Sequence, residues 1–232
     1  MPRTARAALG GYCYHVVNRG NGRAQVFHQD ADFAAFRRLL RAGCARSDMR
    51  LIGFCLMPNH FHLVLWPLQD GDLGAYMQWL LTTHVRRYHK HYHTSGHVWQ
   101  GRFKAFPIQH DEHLLTVLRY VERNALRAWL VNTAEAWRWS SLAWWLEPGK
   151  LPFLDPGPVP RPDNWLELVN EPATESELER LRHSVTRSCP FGEEGWVRQT
   201  ATALGLESTL RPCGRPRKAA QESLAPPTGM LF

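Results

Sequence analysis

The sequence predicts an α+β fold, an antiparallel sheet of ferredoxin-like type with packed helices, followed by a helical C-terminal extension. Three observations lead there. Apolar patterns of strand and helix period alternate along the first part of the chain in the order strand, helix, strand, strand, helix, strand. The 232 residues are 44% hydrophobic and include 10 Trp, enough for a sizeable core. A proline-rich stretch then separates a second group of helical patterns from the first.

Taken in order, Tyr12 to Val17 (YCYHVV) reads as a strand, and Asn18-Arg19-Gly20-Asn21-Gly22 as a turn. Asp30 to Ala45 carries Phe33, Phe36, Leu39 and Leu40 at helical spacing. Met49 to Met57 and His60 to Trp66 are two strands joined by a Pro58-Asn59 turn. From Phe61 onward the second of these is almost wholly apolar, as in a strand buried on both faces. Leu73 to His91 is a helix and Gly101 to Gln109 a strand. Asp111 to Val131 is a helix with Leu114, Leu115, Val117, Leu118 and Val121 on its apolar face, and with Asp111 and Glu112 where the helix dipole favours acids. Strand order is not visible in the sequence. The expected organisation is a first domain over 1–146, a linker over 147–163, a helical extension over 164–218 and a disordered tail over 219–232. The linker holds Pro148, Pro152, Pro156, Pro158, Pro160 and Pro162, and the extension has helices at Glu175–Thr186 and Glu194–Leu204.

The net charge is +7, and the surplus of base over acid lies within 1–146, whereas 147–232 is slightly acidic. That suits a polyanionic partner, although charge alone does not separate nucleic acid from an anionic membrane. Cys13, Cys44, Cys55, Cys189 and Cys213 are scattered and form no C-x-x-C pair, which argues against a zinc knuckle or disulfide scaffold and for thiols in a reducing cytoplasm. MPRTARAALGG lacks the apolar stretch of a secretory signal, and no run approaches membrane-span length. The expectation is a soluble cytoplasmic protein associated with the nucleoid, with no membrane partner.

Side chains on a strand alternate faces, so His60 and His62 point the same way and Phe61 the other. Two imidazoles side by side are half of a metal site, because histidine is the commonest metal ligand. Tyr120 and Asn124 lie one helical turn apart on one face. Each alone reads as packing or as an exposed polar residue; together with the histidines they offer a phenol nucleophile and an amide oxygen to one cation. Glu122 sits about 200° around the helix from Tyr120 and is set aside as a base. His113 fits the first helical turn better than a contact to DNA. The run from His84 to His97 places His89 and His93 at ligand spacing, yet no Cys or carboxylate is near to complete a zinc set. Arg86, Arg87, Tyr88, Lys90 and Tyr92 interleave with it as a basic-aromatic surface for nucleic acid, with a solvated helix end as the plain alternative. Arg102 and Lys104 are further DNA contacts, and Trp99 is read as core. Gly214-Arg215-Pro216-Arg217-Lys218 looks like an AT-hook core that places Arg215 and Arg217 in a minor groove, or else like a solubilising basic tail.

Four ordered segments carry a resemblance: Met57-Pro58-Asn59-His60-Phe61-His62, Gly96-His97-Val98-Trp99-Gln100-Gly101-Arg102-Phe103-Lys104, Arg119-Tyr120-Val121-Glu122-Arg123-Asn124, and Trp137-Arg138-Trp139-Ser140-Ser141. With them the chain resembles the single-tyrosine HUH transposases, most of all the REP-associated tyrosine transposases of bacteria. After Asn124 that family usually reads Pro-Val-Arg-Ala-Gly, whereas this chain has Ala125-Leu126-Arg127-Ala128-Trp129, a change at the end of the helix. The resemblance implies the ferredoxin-like core and a metal-assisted transesterification of single-stranded DNA near REP-like hairpins. Tyr120 would form a 5′-phosphotyrosine link, and His60, His62 and Asn124 would hold Mg²⁺ or Mn²⁺. It implies a monomer or a homodimer. The competing readings are a non-catalytic hairpin-binding protein and a metallohydrolase that uses water.

Overall fold

The structure, a computed structural model, describes residues 8–146 and 153–211. Arg215, Arg217, Cys213 and the expected tail over 219–232 lie outside the described residues. Strands β1 (Cys13–Arg19), β2 (Arg50–Met57), β3 (His60–Trp66) and β4 (Lys104–Ile108) form one sheet in the order β2-β3-β1-β4, with every pairing antiparallel. Helices α1 (Asp30–Arg46) and α2 (Asp72–Tyr92) are the two crossovers, so the ferredoxin-like α+β expectation holds.

The period-two pattern sorts the strands into two cores. Tyr14, Val16, Phe54, Leu56, Phe61, Leu63 and Leu65 face α1 and α2, where they meet Phe33, Phe36, Leu40, Met77 and Leu80. Cys13, Ile52, Cys55, Val64, Phe106 and Ile108 face the other way, onto α3 (Glu112–Glu122) with its Leu114, Val117 and Leu118. That second core is completed from far along the chain by Trp165, Val169, Leu181 and Phe191. The first two come from α6 (Trp165–Asn170), and Leu181 from α7 (Glu175–Arg187). Bridges cap both sheet edges: Leu51 with Leu154 and Cys55 with Ser140 at β2, and Ile108 with Phe191 at β4.

The expected helix over Asp111–Val131 is shorter than predicted. It stops at Glu122, resumes as α4 (Asn124–Arg127), and closes with the Trp129 amide donating to Leu126 O and the Leu130 amide to Ala125 O, both at 3.0 Å. That is a Schellman closure with Trp129 in its left-handed position, φ 58°. On the far side of α3, Glu122 is fully buried. It accepts from Ser141 Oγ (2.7 Å), at the start of α5 (Leu142–Trp145), and from Trp165 Nε1 (2.7 Å) and Arg161 Nη2 (3.4 Å). Arg119 and Arg123 donate to carbonyls at the end of α6 and just beyond it, Arg123 to Val169 and Asn170, Arg119 to Glu171 and Pro172. Glu122 is thus committed to holding α3 in place, as its angle around the helix from Tyr120 suggested.

Candidate active site

The site begins at the Pro58-Asn59 turn. The Val26 and Phe27 amides donate to Pro58 O, and the Gly20 amide to Asn59 O, which fixes the hairpin that starts β3. Asn59 Nδ2 donates to Arg23 O at 3.2 Å, so its Oδ1 faces His60 and accepts from Nδ1 at 2.7 Å. His60 and His62 share the α3 face of the sheet, their ring centroids 5.1 Å apart. Tyr120, buried on α3, brings its ring edge-on to His62 at 5.7 Å. Asn124 is buried, its side chain interacts with His60, and its Nδ2 has no hydrogen-bond partner among the described residues. The four residues singled out in the sequence therefore converge on one point.

Three residues that sequence reasoning passed over stand around them. Arg127 Nη2 donates to the Tyr120 hydroxyl at 3.4 Å, and its guanidinium carbon lies 4.8 Å from the phenol ring centre. Arg19 is paired across the sheet with His60. His15, fully buried on β1, has Nε2 2.8 Å from His62 Nδ1. A lone polar residue in the apolar strand YCYHVV was the available signal for His15; the two arginines had none beyond their charge.

Burial keeps the imidazoles neutral. His60 is lowered to about 4, first by desolvation and then by Arg19 and Arg127, with Asn124 opposing. His62 is pushed well down, by burial and then by His15 and His60. Among the described residues no three His, Cys, Asp or Glu side chains form a cage, so a cation here would rest on two imidazoles and an amide. The donor set fits one: the δ-nitrogens face Asn59 and His15, which leaves the ε-nitrogens as ligands, and the Asn124 side chain already meets His60, where its amide oxygen is at hand as the third ligand.

The family model described as "Transposase IS200 like" matches residues 9–124, a span that contains His15, Arg19, His60, His62, Tyr120 and Asn124. The chain belongs to the IS200-like transposase family. Within it, a Haemophilus influenzae protein bearing the name REP-associated tyrosine transposase is 26% identical over 117 residues, which cover 46% of this chain and 66% of that relative. The chain therefore spans just under two thirds of that relative's length. A solved REP-associated tyrosine transposase bound to a REP hairpin superposes with a TM-score of 0.52 at 18% identity, over 75% of this chain and 100% of the other, which establishes the shared fold.

In this family member the predicted DNA contacts divide between the two layers. Lys104 shares a cross-strand row with Val17 and His62, on the site's face, and its Nζ also donates to Thr186 O at 3.4 Å. Arg102 is exposed and lines a cavity of about 570 Å³ with Tyr14, Met77 and Phe103, on the opposite layer. Arg86, Arg87 and Lys90 are exposed on α2, also on that layer. His84 departs from the expected surface run: it is buried against Phe36 and Trp99, and Trp99 is core as expected. His89 is engaged by Thr94 and Gly96 O, and His113 by Asp111, so both serve local structure. Cys13, Cys44, Cys55 and Cys189 are free thiols, and no helix among the described residues is long and apolar enough to cross a membrane.

Proposed function

We propose that this protein is a divalent-cation-dependent endonuclease and strand transferase for single-stranded DNA, acting beside REP-type hairpins through a 5′-phosphotyrosine intermediate. The observation that carries the reading is the convergence of Tyr120, bonded by Arg127, on the His60–His62 pair. The Tyr120 oxygen attacks a backbone phosphorus, the bond to the 3′-oxygen breaks, and the phenol proton is balanced by the one the 3′-hydroxyl gains. A phenol holds its proton at neutral pH, so it needs a cationic neighbour, and Arg127 supplies one at the attacking oxygen. When bound by His60, His62 and Asn124, Mg²⁺ or Mn²⁺ supplies Lewis-acid polarisation of the phosphoryl oxygen. The new ester keeps the phosphodiester energy, so a 3′-hydroxyl can reverse the step and join strands without a nucleotide cofactor. Lys104 and Arg19, at the site's end of the sheet, suit the scissile strand; Arg86, Arg87, Lys90 and Arg102, on the other layer, suit the hairpin stem.

Tyr120→Phe deletes the attacking oxygen and leaves the ring. The variant should bind a hairpin oligonucleotide as the wild type does, yet neither cut it nor form an adduct. Wild type incubated with end-labelled hairpin and Mn²⁺, then denatured, should carry the label on the Tyr120 peptide by mass. An adduct on another residue, or cutting by the Phe variant, overturns the assignment. Binding without any adduct would favour the non-catalytic hairpin protein.

A further inference from the structure

We infer that His15 is a positioning residue: it holds His62 as the Nδ1–H tautomer and so aims the His62 Nε2 lone pair at the cation site. The inference rests on the reading of His60, His62 and Asn124 as ligands given above.

His15 is fully buried on β1, flanked by Cys13 and Tyr14 on one side and Val16 and Val17 on the other. Its ring is stacked on His62, with centroids 5.0 Å apart and planes at 26°, and is packed by Phe106 at 4.9 Å and Tyr120 at 6.3 Å. Its Nε2 meets His62 Nδ1, and its Nδ1 has no partner among the described residues. A buried imidazole with half its hydrogen bonds unmade is costly, and a phenylalanine would fill the same space without that cost. What the imidazole adds is an acceptor directed at one atom, His62 Nδ1.

The neighbouring histidine is placed by the same kind of partner. Asn59 Nδ2 is committed to Arg23 O, so Asn59 Oδ1 can only accept, and His60 must carry its proton on Nδ1. His15 Nε2 occupies at His62 the place that Asn59 Oδ1 occupies at His60. With both δ-nitrogens donating, both ε-nitrogens keep a lone pair in place of a proton, as two metal-binding imidazoles require. The reverse arrangement, His15 donating, would put the His62 proton on Nε2 and close that position.

The experiment uses the full chain labelled with ¹⁵N-histidine. Ring-nitrogen shifts report the His62 tautomer without cation, Mn²⁺ titration followed by electron spin resonance reports affinity, and hairpin binding is measured in chelator. Wild type should show His62 protonated on Nδ1. In His15→Phe the His62 proton should shift toward Nε2 and Mn²⁺ binding should weaken by about 10- to 100-fold, the usual effect of removing such a partner. Hairpin binding in chelator should be unchanged, and His15→Gln, which restores an acceptor oxygen, should recover part of the affinity. A wild-type His62 protonated on Nε2 overturns the inference even if the Phe variant fails to fold. So does a folded Phe variant with unchanged tautomer and Mn²⁺ affinity. Wild type with the Nδ1–H tautomer but no Mn²⁺ binding supports the hold on His62 and sinks the ligand reading instead.

Discussion

Trp129 occupies a backbone position that L-residues resist. Its φ of 58° belongs to the left-handed region, and its side chain is 91% exposed, so no packing offsets the strain. A left-handed residue with a Cβ costs on the order of 1 kcal/mol relative to glycine. Trp129→Gly should therefore raise the urea midpoint by an amount worth about 1 kcal/mol without altering the slope; an unchanged or lower midpoint would show that Trp129 has a stabilising contact. The same residue explains a misreading. Helix ends are read from a glycine just past the last turn, and a tryptophan there, followed by Leu130 and Val131, lets the helical pattern run on. The site residues were more legible. Alternation places His60 and His62 on one face whatever surrounds them, and one helical turn joins Tyr120 to Asn124. His15, Arg19 and Arg127 were not legible as partners, because their roles depend on β1 lying beside β3 and on α3 crossing both, which no local pattern encodes.

The helix that bears Tyr120 is seated on the sheet at Gly53. A methyl group there would come within 2.7 Å of Leu118 Cδ2 and 3.3 Å of Ser141 Oγ. Leu118 is fully buried, two residues before Tyr120, and has little room to give. Gly53→Ala should cost about 1–3 kcal/mol of stability, the usual range for overpacking, and should reduce adduct formation more than hairpin binding. Equal loss of both would mean that α3 keeps its place and the fold as a whole is damaged. Sequence reasoning recovered the strands of this layer to within a few residues, since their apolar runs end at turn residues. It did not foresee that Arg119 and Arg123, polar in the pattern, reach the end of α6.

Among the described residues, four largely buried histidines make stability sensitive to acid. His15 is lowered to about 3, and His60 and His84 to about 4, chiefly by burial; His62 is lowered too. In the unfolded chain each takes a proton near pH 6.5. Because the folded pKa values are depressed, the unfolded state binds more protons in between. Their contribution is thus complete above about pH 6.5 and is lost as pH falls toward 4. Each imidazole adds about 1.4 kcal/mol per pH unit to that slope. Urea midpoints taken from pH 8 to 4.5 should be level at first and then drop; a level curve throughout would refute the assignment. Salt should act on binding instead. Removing charge at Arg86, Arg87, Arg102 and Lys104 should flatten the log–log salt dependence of hairpin affinity by about 0.9 for each stem phosphate and about 0.7 for each single-strand phosphate no longer neutralised. An unchanged slope would place the DNA elsewhere. At this scale the order of elements was readable and the sharing of a core was not. A proline-rich stretch reads as a spacer, yet Leu154 bridges Leu51, and Arg161 donates to Ile52 O at 3.0 Å.

The capped sheet edges have a genetic consequence. Without Phe191 and the α6 residues, the β4 edge would be an open template for pairing, and the α3 layer would expose Leu114, Val117 and Leu118 to other chains, although Ser140 would still cover β2. A nonsense or frameshift lesion ahead of residue 164 would then produce an aggregating polypeptide rather than a pared-down protein, so gene copies truncated that early should be silent rather than partly active.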